Sequence, residues 1–185
     1  MNDAGASLKD TKVRSSEAKQ CDPQQKEVAM PVQRLKEYLN RNNVKYVSIV
    51  HSEAYTAQEI AELAHVSGKE LAKTIVIKKD GQAAMAVLSA SHKIDWNLLK
   101  AATGAVKVEL AGEREFRDMF PDCEVGAMPP FGNLYGMEVF VETSLTRDRE
   151  IAFNAGSHIE LIKLSFEDFS RLVNPKVANF SANNA

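Results

Sequence analysis

Cysteine is nearly absent: Cys21 and Cys123 stand far apart in a chain of 185 residues and form neither a CxxC pair nor a closely spaced framework. That excludes a disulfide-stapled secreted module and suits a reducing compartment, so a cytoplasmic location is expected. Long apolar runs are missing as well. No stretch approaches the roughly 18 residues of a membrane span, and no apolar segment follows the first charges as in a secretion signal. Neither sign of charge is in excess, since 23 Lys and Arg face 25 Asp and Glu for a net charge of −2. A general polycation for DNA is thereby excluded, and any RNA contact is expected to be local and only shallowly dependent on salt.

Recognisable catalytic apparatus is just as sparse. His51, His65, His92 and His158 sit in no HExxH or HxH arrangement, and neither cysteine lies at ligand spacing from one, so no metal is expected. There is no GxSxG elbow, no P-loop and no GxGxxG. A reaction on this chain therefore uses neither a covalent nucleophile nor a nucleoside triphosphate, and no cofactor is expected.

With 44% apolar residues the chain can bury one sizeable core. Residues 1–29, mixing Lys, Asp, Glu, Gln and Ser, read as a disordered polar leader. Residues 30–177 read as one domain, and 178–185 as a flexible tail. Within the domain, Pro31 with Val32, Leu35, Tyr38 and Leu39 predicts a helix ending near Asn42 and Asn43. "KYVSIV" alternates as a strand over 45–50. Thr56 and Glu59 form a capping box that predicts a helix over 57–65. "KTIVIKKDGQAAMAVL" is a hairpin turning at Asp80 and Gly81. Helices are expected over 94–102 and 112–119, strands over 136–142, 149–153 and 158–164, and a last helix from the Ser165 cap to Val173. Hairpins and helices without strict alternation predict an α+β fold, a single domain with a mixed, mostly antiparallel sheet surrounded by helices.

Two features stand out. Lys73 opens an apolar strand on the same face as Ile75 and Ile77; it either snorkels to water at the strand mouth or anchors a substrate oxygen. "EVGAMPPFGN" joins a free backbone at Gly126 to the fixed φ of Pro129 and Pro130. The amides that remain, at Ala127, Met128 and Phe131, either converge as an oxyanion hole or belong to an ordinary turn.

The order "ELAKTIVIK", "AVLSASHKIDWNLLKAATG", "EVGAMPPFGNLYGMEVFVE" and "IAFNAGSH" resembles the YbaK-type aminoacyl-tRNA deacylases, relatives of the editing insertion domain of bacterial prolyl-tRNA synthetase. The resemblance spans about residues 31–175. It places the family's lysine on Lys73, its GxxxP loop on Gly126 to Pro130 and its glycine-serine-histidine turn on Gly156, Ser157 and His158. What it implies is hydrolysis of the ester between a small noncognate amino acid and the 3′-terminal adenosine of a tRNA, with the loop holding the carbonyl and water, and Lys73 at the adenosine end. A lysine with an ordinary pKa is a cation at neutral pH, which suits an anchor better than a base. His158 either orients substrate or water or satisfies turn carbonyls. Met85 and Phe131 are candidates for the amino-acid pocket, against the plainer alternative of core. The loop departs from the family pattern, because Pro129 stands where relatives often have serine or threonine, and a side-chain hydroxyl is lost there.

The partner expected from the resemblance is the tRNA acceptor end, with an aminoacyl-tRNA synthetase as a second. Lys78, Lys79, Lys93, Lys100, Lys107, Arg147 and Arg149 form a possible basic rim, although scattered charges are usually only solvated. Two other readings compete: a noncatalytic module that binds aminoacyl-tRNA or a nucleotide and docks to a synthetase, and a general esterase for small activated esters.

Overall fold

The computed structural model describes residues 31–183; the expected leader, 1–29, lies outside them. Helix α1 (Pro31–Arg41) buries Leu35 and Leu39 and stops where Asn43 takes φ +54. It leads into β1 (Tyr46–Val50). Helix α2 (Ala57–Leu63) begins at the predicted capping box: the Thr56 hydroxyl accepts from Glu59 N, and the Glu59 carboxylate accepts from Thr56 N.

The predicted hairpin is the centre of the main sheet. Strands β2 (Ala72–Lys79) and β3 (Gln82–Ser89) pair antiparallel from Ala72 opposite Ser89 to Lys79 opposite Gln82. Asp80 and Gly81 turn between them with φ +49 and +85, as a tight primed turn requires. A short strand, β4 (His92–Ile94), precedes α3 (Trp96–Thr103), which starts two residues later than predicted because the Asp95 carboxylate accepts from Asn97 N and Leu98 N. β5 (Val108–Leu110) follows, and then α4 (Glu113–Phe116), which tightens into a 3₁₀ turn over Arg117–Met119. Beyond the Gly/Pro loop come β6 (Glu138–Glu142), β7 (Glu150–Asn154), β8 (Glu160–Ser165) and α5 (Phe166–Val173), the last capped by Ser165 as expected. The chain then forms β9 (Lys176–Ala178) and β10 (Ser181–Asn183).

The five-stranded sheet has the order β5-β2-β3-β6-β9, antiparallel except for β3 with β6 and β6 with β9. A second, antiparallel sheet runs β1-β8-β7, and β10 pairs with β4. The two larger sheets meet where Leu71 bridges Ala152. Because alternate residues of a strand face opposite sides, Ala72 and Val76 join the large core under α1 and α5, while Ile75 and Ile77 join a smaller one with Leu99 of α3. A third core gathers Ile60 of α2 with Leu71, Ala152 and Leu161. Among the described residues no helix is long and apolar enough to cross a membrane.

The tail corrects one expectation. Residues 178–183 are not free: Phe180 is fully buried against Leu88, Leu99 and Phe140, its carbonyl accepts from Asp95 N at 2.9 Å, and Ser181–Asn183 complete a ladder. One aromatic side chain among polar neighbours supplies the burial that the average composition of the segment hides. Phe180→Ala is expected to cost about 3 kcal/mol of stability, as truncated core phenylalanines do. Urea denaturation reads this directly, and a loss below about 0.5 kcal/mol, the size of an ordinary surface change, would show the tail undocked.

Candidate active site

Lys73 lies at the first turn of the β2 ladder, opposite Leu88. Its stem is half-buried, and its amine donates to the carbonyl of Ala90 at 3.3 Å and to that of His92. An ammonium has three donors, so one remains for a ligand. Burial pushes the Lys73 pKa below its ordinary value, and the like charge of Lys93 pushes the same way. If the protonated amine is what holds substrate, deacylation corrected for spontaneous hydrolysis falls off at a pH below the ordinary lysine range. Lys93→Gln then moves that alkaline limb to higher pH, since removing a like charge restores the protonated form. A pH profile with an unmoved limb would separate Lys73 from the titration.

The Gly/Pro loop is held from behind by the glycine-serine-histidine turn. Glu124 N donates to Gly156 O at 2.9 Å, Gly156 N donates to Ala127 O at 2.9 Å, and His158 N donates to the Glu124 carboxylate at 2.6 Å. His158 Nε2 lies 2.9 Å from Val125 O. A carbonyl only accepts, so Nε2 carries the proton, and Nδ1 is left buried without a partner. The ring packs against Tyr55 with centroids 4.8 Å apart and planes tilted by 49°. This is the geometry of a brace. Gly126, at φ +91, crosses in front of the imidazole, where a Cβ would meet His158 Cε1 at 3.5 Å.

Lys73, Gly126 and Met128 converge on one cavity of about 210 Å³, which Tyr55, Ile60, Leu71, Thr74, Ile75 and Asn154 also line. No Ser, Cys or His is among its lining residues, and the Thr74 hydroxyl has no base beside it, so water is the available nucleophile. Two buried oxygens here, Thr74 Oγ1 and Asn154 Oδ1, have no hydrogen-bond partner. Buried polar atoms are rarely left so. The sequence reading missed Tyr55, Thr74 and Asn154. The available signals were Thr74 directly after Lys73 and a lone asparagine interrupting the apolar "IAFNAG".

Other candidates fall elsewhere. Met85 and Phe131 are fully buried in the large core: Met85 pairs with Val76 on its inward face, and Phe131 packs on Tyr38, Phe153 and Phe169. Neither lines the cavity. The Ala127 amide is spent on Glu124 O at 3.0 Å, and Gly126 N meets Met128 Sδ at 3.3 Å. Of the loop amides lining the cavity, that of Met128 has no protein acceptor among the described residues. Gly156 and His158 hold the loop from behind, and neither they nor Pro130 and Ser157 line the cavity. The basic rim divides: Lys78 pairs with Glu109 and Glu115, Lys79 with Glu138 and Lys107 with Glu109, all toward the turn end of the hairpin away from Lys73. Among the described residues the charge triads typical of a metal site are absent.

The α+β fold is shared with a solved structure of a candidate trans-editing enzyme for prolyl tRNA synthetase, which superposes with a TM-score of 0.72 at 18% identity, over 83% of this chain and 98% of that one. Another crystal structure, of a hypothetical protein, reaches a TM-score of 0.73 at 20% identity, over 80% and 99%. The chain belongs to the aminoacyl-tRNA editing domain family, whose model matches residues 51–172. It is 28% identical over 153 residues to the Multifunctional Ser/Thr-tRNA deacylase ProXp-y of Escherichia coli (strain K12), covering 80% of this chain and 91% of that protein. It is also 25% identical over 85 residues to a proline-tRNA ligase of Bacillus mycoides (strain KBAB4), covering 46% of this chain and 15% of that protein. The protein is an aminoacyl-tRNA deacylase.

Proposed function

We propose that this deacylase clears tRNAs mischarged with small, hydroxyl-bearing amino acids, and that Lys73, the Met128 amide and the Thr74 and Asn154 oxygens do the binding. The observation that carries the reading is the convergence of Lys73, Gly126 and Met128 on a cavity without a nucleophile. An aminoacyl ester is activated enough for water. Water adds to the carbonyl carbon, the Met128 N–H receives the developing oxyanion, the bond to the ribose oxygen breaks, and a proton passes to that oxygen to leave free amino acid and uncharged tRNA. His158 acts through the loop it braces. A volume of about 210 Å³ is below the roughly 300 Å³ at which sites for whole small molecules begin, so the amino acid enters while the nucleoside stays at the mouth beside Lys73.

The two unpartnered oxygens favour a substrate that brings its own donors, an ammonium and a hydroxyl. This agrees with the substrates in the name of the Escherichia coli relative. The test is release of labelled amino acid from tRNAs charged with serine, threonine, alanine or cysteine. Wild type is expected to release serine and threonine fastest. Asn154→Leu is expected to cut the preference for seryl over alanyl tRNA about tenfold, the value of one unmade buried hydrogen bond. Equal background release on every tRNA would leave only a noncatalytic binding module. A synthetase as physical partner, docking through residues 1–29, is a further expectation of this reading, tested by pull-down with and without those residues.

A further inference from the structure

A second cavity is lined by side chains of the turn whose carbonyls hold Lys73. It measures about 570 Å³; Ser89, Ser91, His92 and Ser144 form its floor, and Lys69, Arg147 and Asp148 its rim. The Ser89 to His92 turn joins the two cavities: its side chains line the larger, while its carbonyls at Ala90 and His92 hold the lysine that lines the smaller. The same short turn therefore serves both cavities. A neighbouring hollow over Asn179 and Ser181 shares His92, Ser144 and Arg147 and extends the groove.

A second hydrolytic centre does not fit these residues. Ser144 Oγ at 3.3 Å, Ser181 Oγ at 3.2 Å and the Glu142 carboxylate at 3.8 Å all meet His92 at the same nitrogen, Nδ1. A relay needs the hydroxyl on one ring nitrogen and the carboxylate on the other. Glu142 is largely buried at the wall of the neighbouring hollow, and its carboxylate is engaged there, accepting from Ser144 N at 2.7 Å and from the Ser144 hydroxyl.

What the groove offers is a hydroxyl-rich floor with cations at its edge. Lys69 and Arg147 are exposed and form no ion pair among the described residues, whereas Lys78, Lys79, Lys107, Lys163 and Lys176 all do. Asp148 supplies one acceptor, its carboxyl raised by burial and by Glu70 against the opposing pull of Lys69. Neighbouring phosphates with ribose and base donors between them match that set.

We propose that this groove binds the single-stranded RNA immediately 5′ of the terminal adenosine, with backbone phosphates at Lys69 and Arg147 and sugar or base groups on the serine hydroxyls and Asp148. The proposal rests on the reading of the smaller cavity as the ester site. It also explains how a chain of net charge −2 recognises RNA: by a few uncompensated cations at one place.

The test compares two substrates, seryl-adenosine, which has no upstream phosphate, and the tetranucleotide ACCA carrying serine on its terminal ribose. For the double variant Lys69→Gln with Arg147→Gln, the loss in kcat/KM on seryl-ACCA is expected to exceed that on seryl-adenosine by about tenfold. The slope of log kcat/KM against log salt on seryl-ACCA should become shallower by about 1.4, as for two lost single-strand phosphate contacts. Equal losses on the two substrates, or no loss on either, overturn the groove. If wild type hydrolyses neither, the ester-site reading fails, and fluorescein-labelled uncharged ACCA decides the groove by anisotropy. Binding weakened about tenfold in the double variant sustains it, and identical binding overturns it.

Discussion

Lys73→Ala is expected to lower kcat/KM for deacylation about a hundredfold, mostly through KM. Removing one partner of a desolvated charged contact costs about 2–5 kcal/mol, or roughly 30-fold to several thousandfold, and the half-buried position of this amine puts it toward the lower part of that range. Two effects must be separated, because the same amine ties down the Ala90 and His92 carbonyls. Lys73→Met keeps an unbranched stem beside Ile75 and removes only the charge and donors. If the charge anchors the adenosine end, the methionine variant loses nearly as much activity as the alanine variant while unfolding at nearly the wild-type temperature. A methionine variant with wild-type KM would mean that the packed stem alone matters, and neither the charge nor the ties to the Ala90 and His92 carbonyls. Lys73→Arg keeps the charge but carries a planar fork too wide for two converging carbonyls, so partial recovery is expected.

How much of this was legible in the sequence depends on the range of the interactions concerned. The capping box at Thr56 and Glu59, the Asp80 and Gly81 turn and the Ser165 cap are local hydrogen-bonding arrangements, and each appears where its residues predict it. Strands β4, β5, β9 and β10 have three residues each, too few for alternation to show, and they exist because a longer neighbour or a buried Phe180 holds them. The site divides along the same line. Lys73 and Gly126 announce themselves by chemistry that does not fit their surroundings, an ammonium in an apolar strand and a glycine before two prolines. Thr74 and Asn154 are unremarkable until two sheets bring residues about 80 positions apart to one cavity. Met85 stayed open between pocket and core for the converse reason: alternation gives two faces, and only the packing of α1 and α5 decides which of them is core.

Gly126→Ala is expected to lower kcat about a hundredfold with little change in KM, the reverse of the pattern at Lys73. There is room for the methyl group, since its nearest neighbour would be His158 Cε1 at 3.5 Å, an ordinary contact. The obstacle is the backbone. A φ of +91 costs an L-alanine on the order of 1–3 kcal/mol, and the loop can relieve this only by rotating the peptides between Val125 and Met128. That rotation moves the Met128 amide, and losing one donor to a developing oxyanion costs about 10²- to 10³-fold in kcat. Lower stability alone would mimic such a loss, so the comparison needs a glycine under the same strain far from the cavity. Gly81 is that residue, at φ +85 in the hairpin turn with open space around it. Gly81→Ala should destabilise the fold by a similar amount and leave kcat unchanged. If instead the two variants lose activity in proportion to stability, the loop is a structural turn, and the oxyanion must be stabilised by some other group.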